Sequence, residues 1–183
     1  MLRRFFASVL DVLEVAVVAV AAVFLIRSFL IQPFLVSGAS MVPNFADGDY
    51  LLIDEITYRF RPPQRGEVAV FHYPNNESTY FIKRIIGLPG EKIEIKDGSV
   101  KILSQKNPEG FLLGEDYLPP NVKTAGDVRL TLTENQYFVL GDNRLYSFDS
   151  RSWGSLSSKE IVGLVRLRLW PIAKVRAFTA PAY

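Results

Sequence analysis

The sequence predicts a mainly β domain carried behind one apolar N-terminal helix. Three observations lead there. From Tyr50 onward, short runs of β-branched and aromatic residues alternate with Gly, Pro, Asn and Asp turn signals; no amphipathic helical stretch of useful length precedes Ser157; and residues 15–26 are apolar without a break. At 183 residues, 49% of them hydrophobic, the chain has room for one full domain and one short extra element.

The apolar run comes first. At ~1.5 Å per residue it covers about 18 Å of a ~30 Å hydrocarbon core, so a spanning helix must extend at both ends, toward Phe5 and Ile31. That extension takes in Asp11, Glu14 and Arg27, charges that are tolerable near the interfaces and costly at mid-bilayer. Arg3 and Arg4 precede the run, and after Arg27 no Lys or Arg occurs until Arg59, which favours a cytoplasmic N-terminus with the rest of the chain outside. The expected organisation is a stub and anchor over residues 1–31 and a β-rich domain over 32–183, with a small inserted excursion at 92–135. A removable secretory signal, cut after Ser37-Gly38-Ala39, is the rival reading; Asp11 and Glu14 argue against it.

Pro33 ends the helical periodicity, and Phe34-Leu35-Val36 reads as extended. Strands are expected at 50–53, 68–72, 80–86, 92–95, 100–103, 136–140 and 161–169, with a hairpin at Asp97-Gly98 and a turn at Leu88-Pro89-Gly90. Residues 105–125, rich in Pro, Gly, Asn and charge, read as an exposed excursion from the sheet.

Composition narrows the chemistry. Net charge is +2, from 21 basic and 19 acidic residues in no dense stripe, so a nucleic-acid partner is not expected. The absence of cysteine removes disulfides, thiolate nucleophiles and Cys-based zinc sites, and the lone His72 cannot build a multi-histidine metal site. No metal or cofactor is expected.

Two residues invite a catalytic reading. Ser40 lies in Gly38-Ala39-Ser40-Met41-Val42-Pro43, where small neighbours expose a hydroxyl and Met41 and Pro43 hold the turn. By itself such a serine is usually a solvated turn. Lys83 lies in a strand where alternation places it on the face of Phe81 and Ile85; a desolvated lysine loses its proton more readily and can serve as a base, whereas a snorkelling surface lysine cannot. The strand alone leaves both readings open.

The order of four segments resolves the matter by likeness. Ser40 through Pro43, RGEVAVF at 65–71, YFIKRIIGLPG at 80–90 and GDNRLYSFDSRSWG at 141–154 resemble the ordered boxes of bacterial type I signal peptidases, and the resemblance runs from about Ile26 to beyond Gly163. It implies an antiparallel β catalytic domain behind one transmembrane helix, in the cytoplasmic membrane and on its outer face, cutting signal peptides from exported preproteins after small residues. It also implies Ser40 as nucleophile, Lys83 as general base and Ser147 as the serine that orients the lysine. Arg84 would pair with Asp142 and Asp149 with Arg151; read without the family, these are plausible surface ion pairs. Phe34 and Val36 on one strand, and Phe81 and Ile82 on another, would pair with an extended substrate. Gly38 stands where some members have a serine that helps form the oxyanion hole, which leaves the Ser40 backbone N–H to do more. Asn44 replaces a threonine, and either residue can cap the local turn.

Three alternatives remain at this level. A self-cleaving repressor would share the Ser-Lys logic but resembles chains with a helix-turn-helix rather than an apolar anchor. A tethered peptide-binding β-domain would leave Ser40 in a plain turn. A triad of Ser40, His72 and Asp142 is formally possible.

Overall fold

The computed structural model describes residues 10–21 and 31–181. Helix α1 covers residues 10–21, and among the described residues no helix is long and apolar enough to cross a membrane. Most of the expected 1–31 anchor lies outside the described residues. Within α1, Leu10, Val12, Leu13, Val15, Val17, Val18 and Val20 are all exposed, so its apolar surface is not covered by the β-domain.

The rest is antiparallel β, as expected. β1 (Ile31–Leu35), β2 (Tyr50–Asp54), β3 (Val68–Tyr73), β4 (Asn76–Gly87), β9 (Gln136–Leu140), β10 (Leu156–Ser157) and β11 (Ile161–Trp170) form one sheet in the order β1-β2-β11-β3-β4-β9-β10, and β12 (Arg176–Ala177) pairs with β11. β5 (Lys92–Lys96), β6 (Ser99–Ser104), β7 (Asn107–Leu112) and β8 (Val128–Thr131) form a second sheet in the order β7-β6-β5-β8. Two helices of one turn each, α2 (Thr57–Phe60) and α3 (Ser150–Trp153), sit in connections.

Asp97-Gly98 makes the expected hairpin, with Lys96 facing Ser99. The excursion differs from expectation: residues 107–112, expected to be irregular, are strand β7. Pro108 and Gly110 hid it, but β7 is an edge strand, the place in a sheet where proline is tolerated, and Phe111 packs on the second core.

β4 joins the two cores. Ile85 packs with Ala69, Phe71 and Val139 of the first sheet, while Ile86 packs with Ile93, Ile102 and Phe138 beneath the second. Both faces of this half of the strand are therefore covered, which is why Lys83 through Gly87 are all buried instead of alternating. In the other half, residues 78–82 stay half-exposed or exposed, because β9 pairs only with Arg84, Ile85 and Gly87.

Candidate active site

Residues 36–49, which connect β1 to β2, present Ser40. Val36 N–H donates to the Asp49 carbonyl and Gly48 N–H to that of Val36, pinching the loop at its base, while Met41 and Phe45 fill the core below. Gly38 adopts φ +93°, a conformation costly for any residue with a Cβ, and its N–H donates to Asp47 Oδ1 at 2.7 Å. Gly38 thus supplies a backbone kink secured by an aspartate and no side-chain donor.

Lys83 reaches the same point from β4. Its Nζ lies 2.7 Å from Ser40 Oγ and donates to the Ile82 carbonyl at 2.9 Å. The residue is 4% exposed. Burial pushes the ammonium down to about 8, while the charges of Asp149 and Asp142 act in the opposite sense and do not cancel it. A neutral amine in contact with a hydroxyl can accept its proton.

The 141–149 loop closes the site. Gly141 permits this: a Cβ there would fall 2.1 Å from Ser147 Oγ and 2.4 Å from the Ser40 carbonyl oxygen. Asn143 N–H donates to that Ser40 carbonyl at 3.0 Å, and its side chain donates to the Ala39 carbonyl at 3.0 Å. Ser147 Oγ is buried and has no hydrogen-bond partner. The sequence reading gave it to Lys83; here it lies against Gly141, and the lysine bonds to Ser40 and Ile82 instead.

The two supporting ion pairs form as expected but are buried, not at the surface. Arg84 grips Asp142 through Nε at 2.8 Å and Nη2 at 2.6 Å, with side chains 7% and 0% exposed. Asp149 receives Arg151 Nε at 2.8 Å and caps α3, and its other oxygen accepts from the Gly141 N–H at 3.0 Å. Asn44 does more than cap its own turn: its Nδ2 donates to Asp142 Oδ2 at 2.9 Å and to the Tyr117 carbonyl at 2.8 Å. His72 is engaged elsewhere, with Nδ1 at the Glu77 carbonyl and its ring against Tyr80, while Asp142 is taken by Arg84 and Asn44. The His72 triad is therefore not assembled.

A cleft of about 290 Å³ runs past the pair. The expected substrate residues Phe34, Val36, Phe81 and Ile82 all line it. Phe34 meets Tyr80 edge-on at 5.3 Å, so the first sheet curls until β1 faces β4. Sequence reasoning missed Tyr146 and Phe148, which enter from the 141–149 loop. Their spacing of two within one box, flanking Ser147, was the available signal, and Phe148 stacks edge-on against Tyr73 and Phe81.

The antiparallel β-domain thus brings a serine and a buried lysine into contact at an open cleft. Comparison with known proteins supplies the class. Residues 9–170 match the family described as signal peptidase, peptidase S26. The chain is 36% identical over 163 residues to a probable signal peptidase I-2 of Synechocystis sp., covering 86% of this chain and 71% of that one. It is 33% identical over 180 residues to signal peptidase I P of Bacillus subtilis subsp. natto, covering 93% and 94%. Signal peptidase IB of Staphylococcus aureus is 32% identical over 173 residues, covering 87% and 88%. Among solved structures, a signal peptidase I from Enterococcus faecalis V583 is 34% identical, covering 57% of this chain and 97% of that one with a TM-score of 0.47. The chain belongs to the signal peptidase family, and is a serine endopeptidase.

Proposed function

We propose that this enzyme is anchored in the cytoplasmic membrane by residues 1–31 and removes N-terminal signal peptides from exported preproteins after small residues, with Ser40 as nucleophile and Lys83 as general base. The contact of 2.7 Å between a buried Lys83 Nζ and Ser40 Oγ carries the reading.

An extended segment entering the cleft would pair with the outer edges of β1 and β4, placing alternate side chains against Phe34, Val36, Phe81 and Ile82. Ser40 Oγ attacks the scissile carbonyl as its proton passes to Lys83 Nζ. The Ser40 N–H stabilises the oxyanion, with Gly38 adding no side-chain donor. As the tetrahedral centre collapses, the ammonium returns the proton to the leaving amine, giving an acyl-Ser40. Lys83 then deprotonates a water, which releases the acid and restores the serine. Asp142 with Arg84 holds the 141–149 loop on the lysine strand, Asp149 with Arg151 braces that loop from within at the Gly141 N–H, and Met41 fills the floor beneath Ser40. Ser147 keeps the lysine-orienting role as a proposal: its Oγ packs at Gly141 beside the Ser40 carbonyl and has no hydrogen-bond partner, which leaves it able to accept from Lys83.

The tether is supported by the apolar run at 15–26, by Arg3 and Arg4 before it, and by the exposed apolar side chains of α1, a surface that membrane lipid covers. In detergent, Ser40→Ala and Lys83→Ala should each abolish cleavage of a preprotein while leaving the circular dichroism spectrum unchanged. Full activity in either variant refutes the assignment.

A further inference from the structure

Residues 113–127 belong to neither sheet and do not line the cleft, yet they reach the site from behind, at Tyr117. The Arg84 guanidinium sits over the Tyr117 ring at 4.0 Å. The Tyr117 carbonyl accepts from Asn44 Nδ2 at 2.8 Å. Its hydroxyl donates to Glu115 Oε1 at 2.8 Å and accepts from Arg144 Nη2 at 3.2 Å. Arg144, whose side chain is wholly buried, also bonds the Gly141 carbonyl at 3.0 Å and Thr124 Oγ1 at 2.5 Å.

We infer that Tyr117 is a positioning residue for the Ser40–Lys83 site: it holds the Ser40 loop through Asn44, the Lys83 strand through Arg84, and the 141–149 loop through Arg144. The inference rests on Ser40 and Lys83 being the reacting pair. Those three segments are distant in sequence and meet one another at Ser40, Lys83 and Gly141; on the opposite side they meet at Tyr117. Tyr117 lines a separate hollow of about 280 Å³, shared with Asn44 and Arg84 and having no lining residue in common with the cleft, so a substrate in the cleft does not touch it.

The charged groups that bear on Lys83 are Asp142 and Asp149 from the loop, the first held by Arg84 and the second by Arg151. Ala69 faces Lys83 from β3 and carries no charge. Removing the ring loosens Arg84, which leaves Asp142 less neutralised and opens the strand to water. Both changes favour the ammonium form of Lys83, so the base would titrate at higher pH.

The test uses the full chain in detergent, with a peptide containing one scissile bond. Tyr117→Ala should lower kcat on the order of 10- to 100-fold with KM unchanged, the scale expected for a small misplacement of reacting groups. It should also move the acid limb of the pH–rate profile upward. Tyr117→Phe, which keeps the ring beneath Arg84, should restore the wild-type acid limb. If Tyr117→Ala does not fold, Tyr117→Leu fills the volume without a π face and should behave as described for alanine. A wild-type acid limb and kcat in the folded Ala or Leu variant, or an effect on KM alone, overturns the inference. Activity in Ser40→Ala instead removes the parent reading, whatever Tyr117 does.

Discussion

Replacing Lys83 by methionine should abolish activity and yet stabilise the fold at neutral pH. The ammonium is 4% exposed, and burial moves its titration from the ordinary 10.5 down to about 8. That difference corresponds to about 3 kcal/mol favouring the unfolded chain wherever the lysine is charged in both states. Against this, methionine gives up the hydrogen bonds to Ser40 Oγ and the Ile82 carbonyl, each worth about 1 kcal/mol. A net gain of about 1–2 kcal/mol remains, since methionine fills similar volume without a charge. The pH dependence fixes the sign. Below about 8 the wild type carries the whole penalty; between about 8 and 10.5 the unfolded chain binds more protons than the folded one, so wild-type stability rises; above 10.5 the penalty is gone. Urea unfolding of both proteins in detergent at pH 6.5, 8 and 9.5 should therefore show the gap in favour of methionine narrowing and then reversing. A less stable methionine variant at pH 6.5, or a gap that does not change with pH, refutes the argument that Lys83 is buried at a cost.

Further outcomes follow from the same geometry. Wild-type kcat/KM on a peptide should rise with one proton's dependence through about pH 8, because only neutral Lys83 accepts the Ser40 proton; a profile flat from pH 6 to 9 contradicts Lys83 as base. Gly141→Ala places a methyl against the Ser40 carbonyl and Ser147 Oγ, so cleavage should be lost and stability should fall by about 1–3 kcal/mol in a thermal melt. Asp142→Ala strands the buried Arg84 and should cost about 3–5 kcal/mol, read by chemical denaturation. Ser147→Ala removes a buried hydroxyl with no partner, so the melting temperature should hold; on the proposed lysine-orienting role kcat should fall about tenfold, and an unchanged kcat removes that role.

The strands were legible wherever their residues could be buried on one face, and least legible in the second sheet. β7 contains Pro108 and Gly110, which argue against a strand unless it is known to lie at an edge. That gap in the reading spread to the site. Arg84 and Asp142 looked like a surface pair because the residues that bury them come from elsewhere: the second core beneath β4 and the segment around Tyr117. Ser40 and Lys83 could be nominated from local context, a small-residue loop and an apolar strand face. Asn44 could not be given its role in the same way. Its partners Tyr117 and Asp142 lie 73 and 98 residues away, and no local pattern encodes a bond across such a distance. Ser147 shows the converse: likeness named the residue, while its present neighbour, Gly141, is a matter of loop packing.

The half-finished strand β4 carries a consequence for timing. Beyond Arg84 it is locked between two cores, and before it the backbone edge toward the cleft has no strand beside it among the described residues. On the proposed reading, a preprotein segment completes the sheet for the duration of one turnover, and a segment arriving as a helix must first unwind. The enzyme then discriminates by local order as well as by side-chain size: a cleavable sequence folded into a mature domain stays uncut, and the same sequence in a slack linker is taken. Once the bond is broken, each product holds only part of the borrowed ladder, so the sheet that captured the substrate releases it by losing continuity.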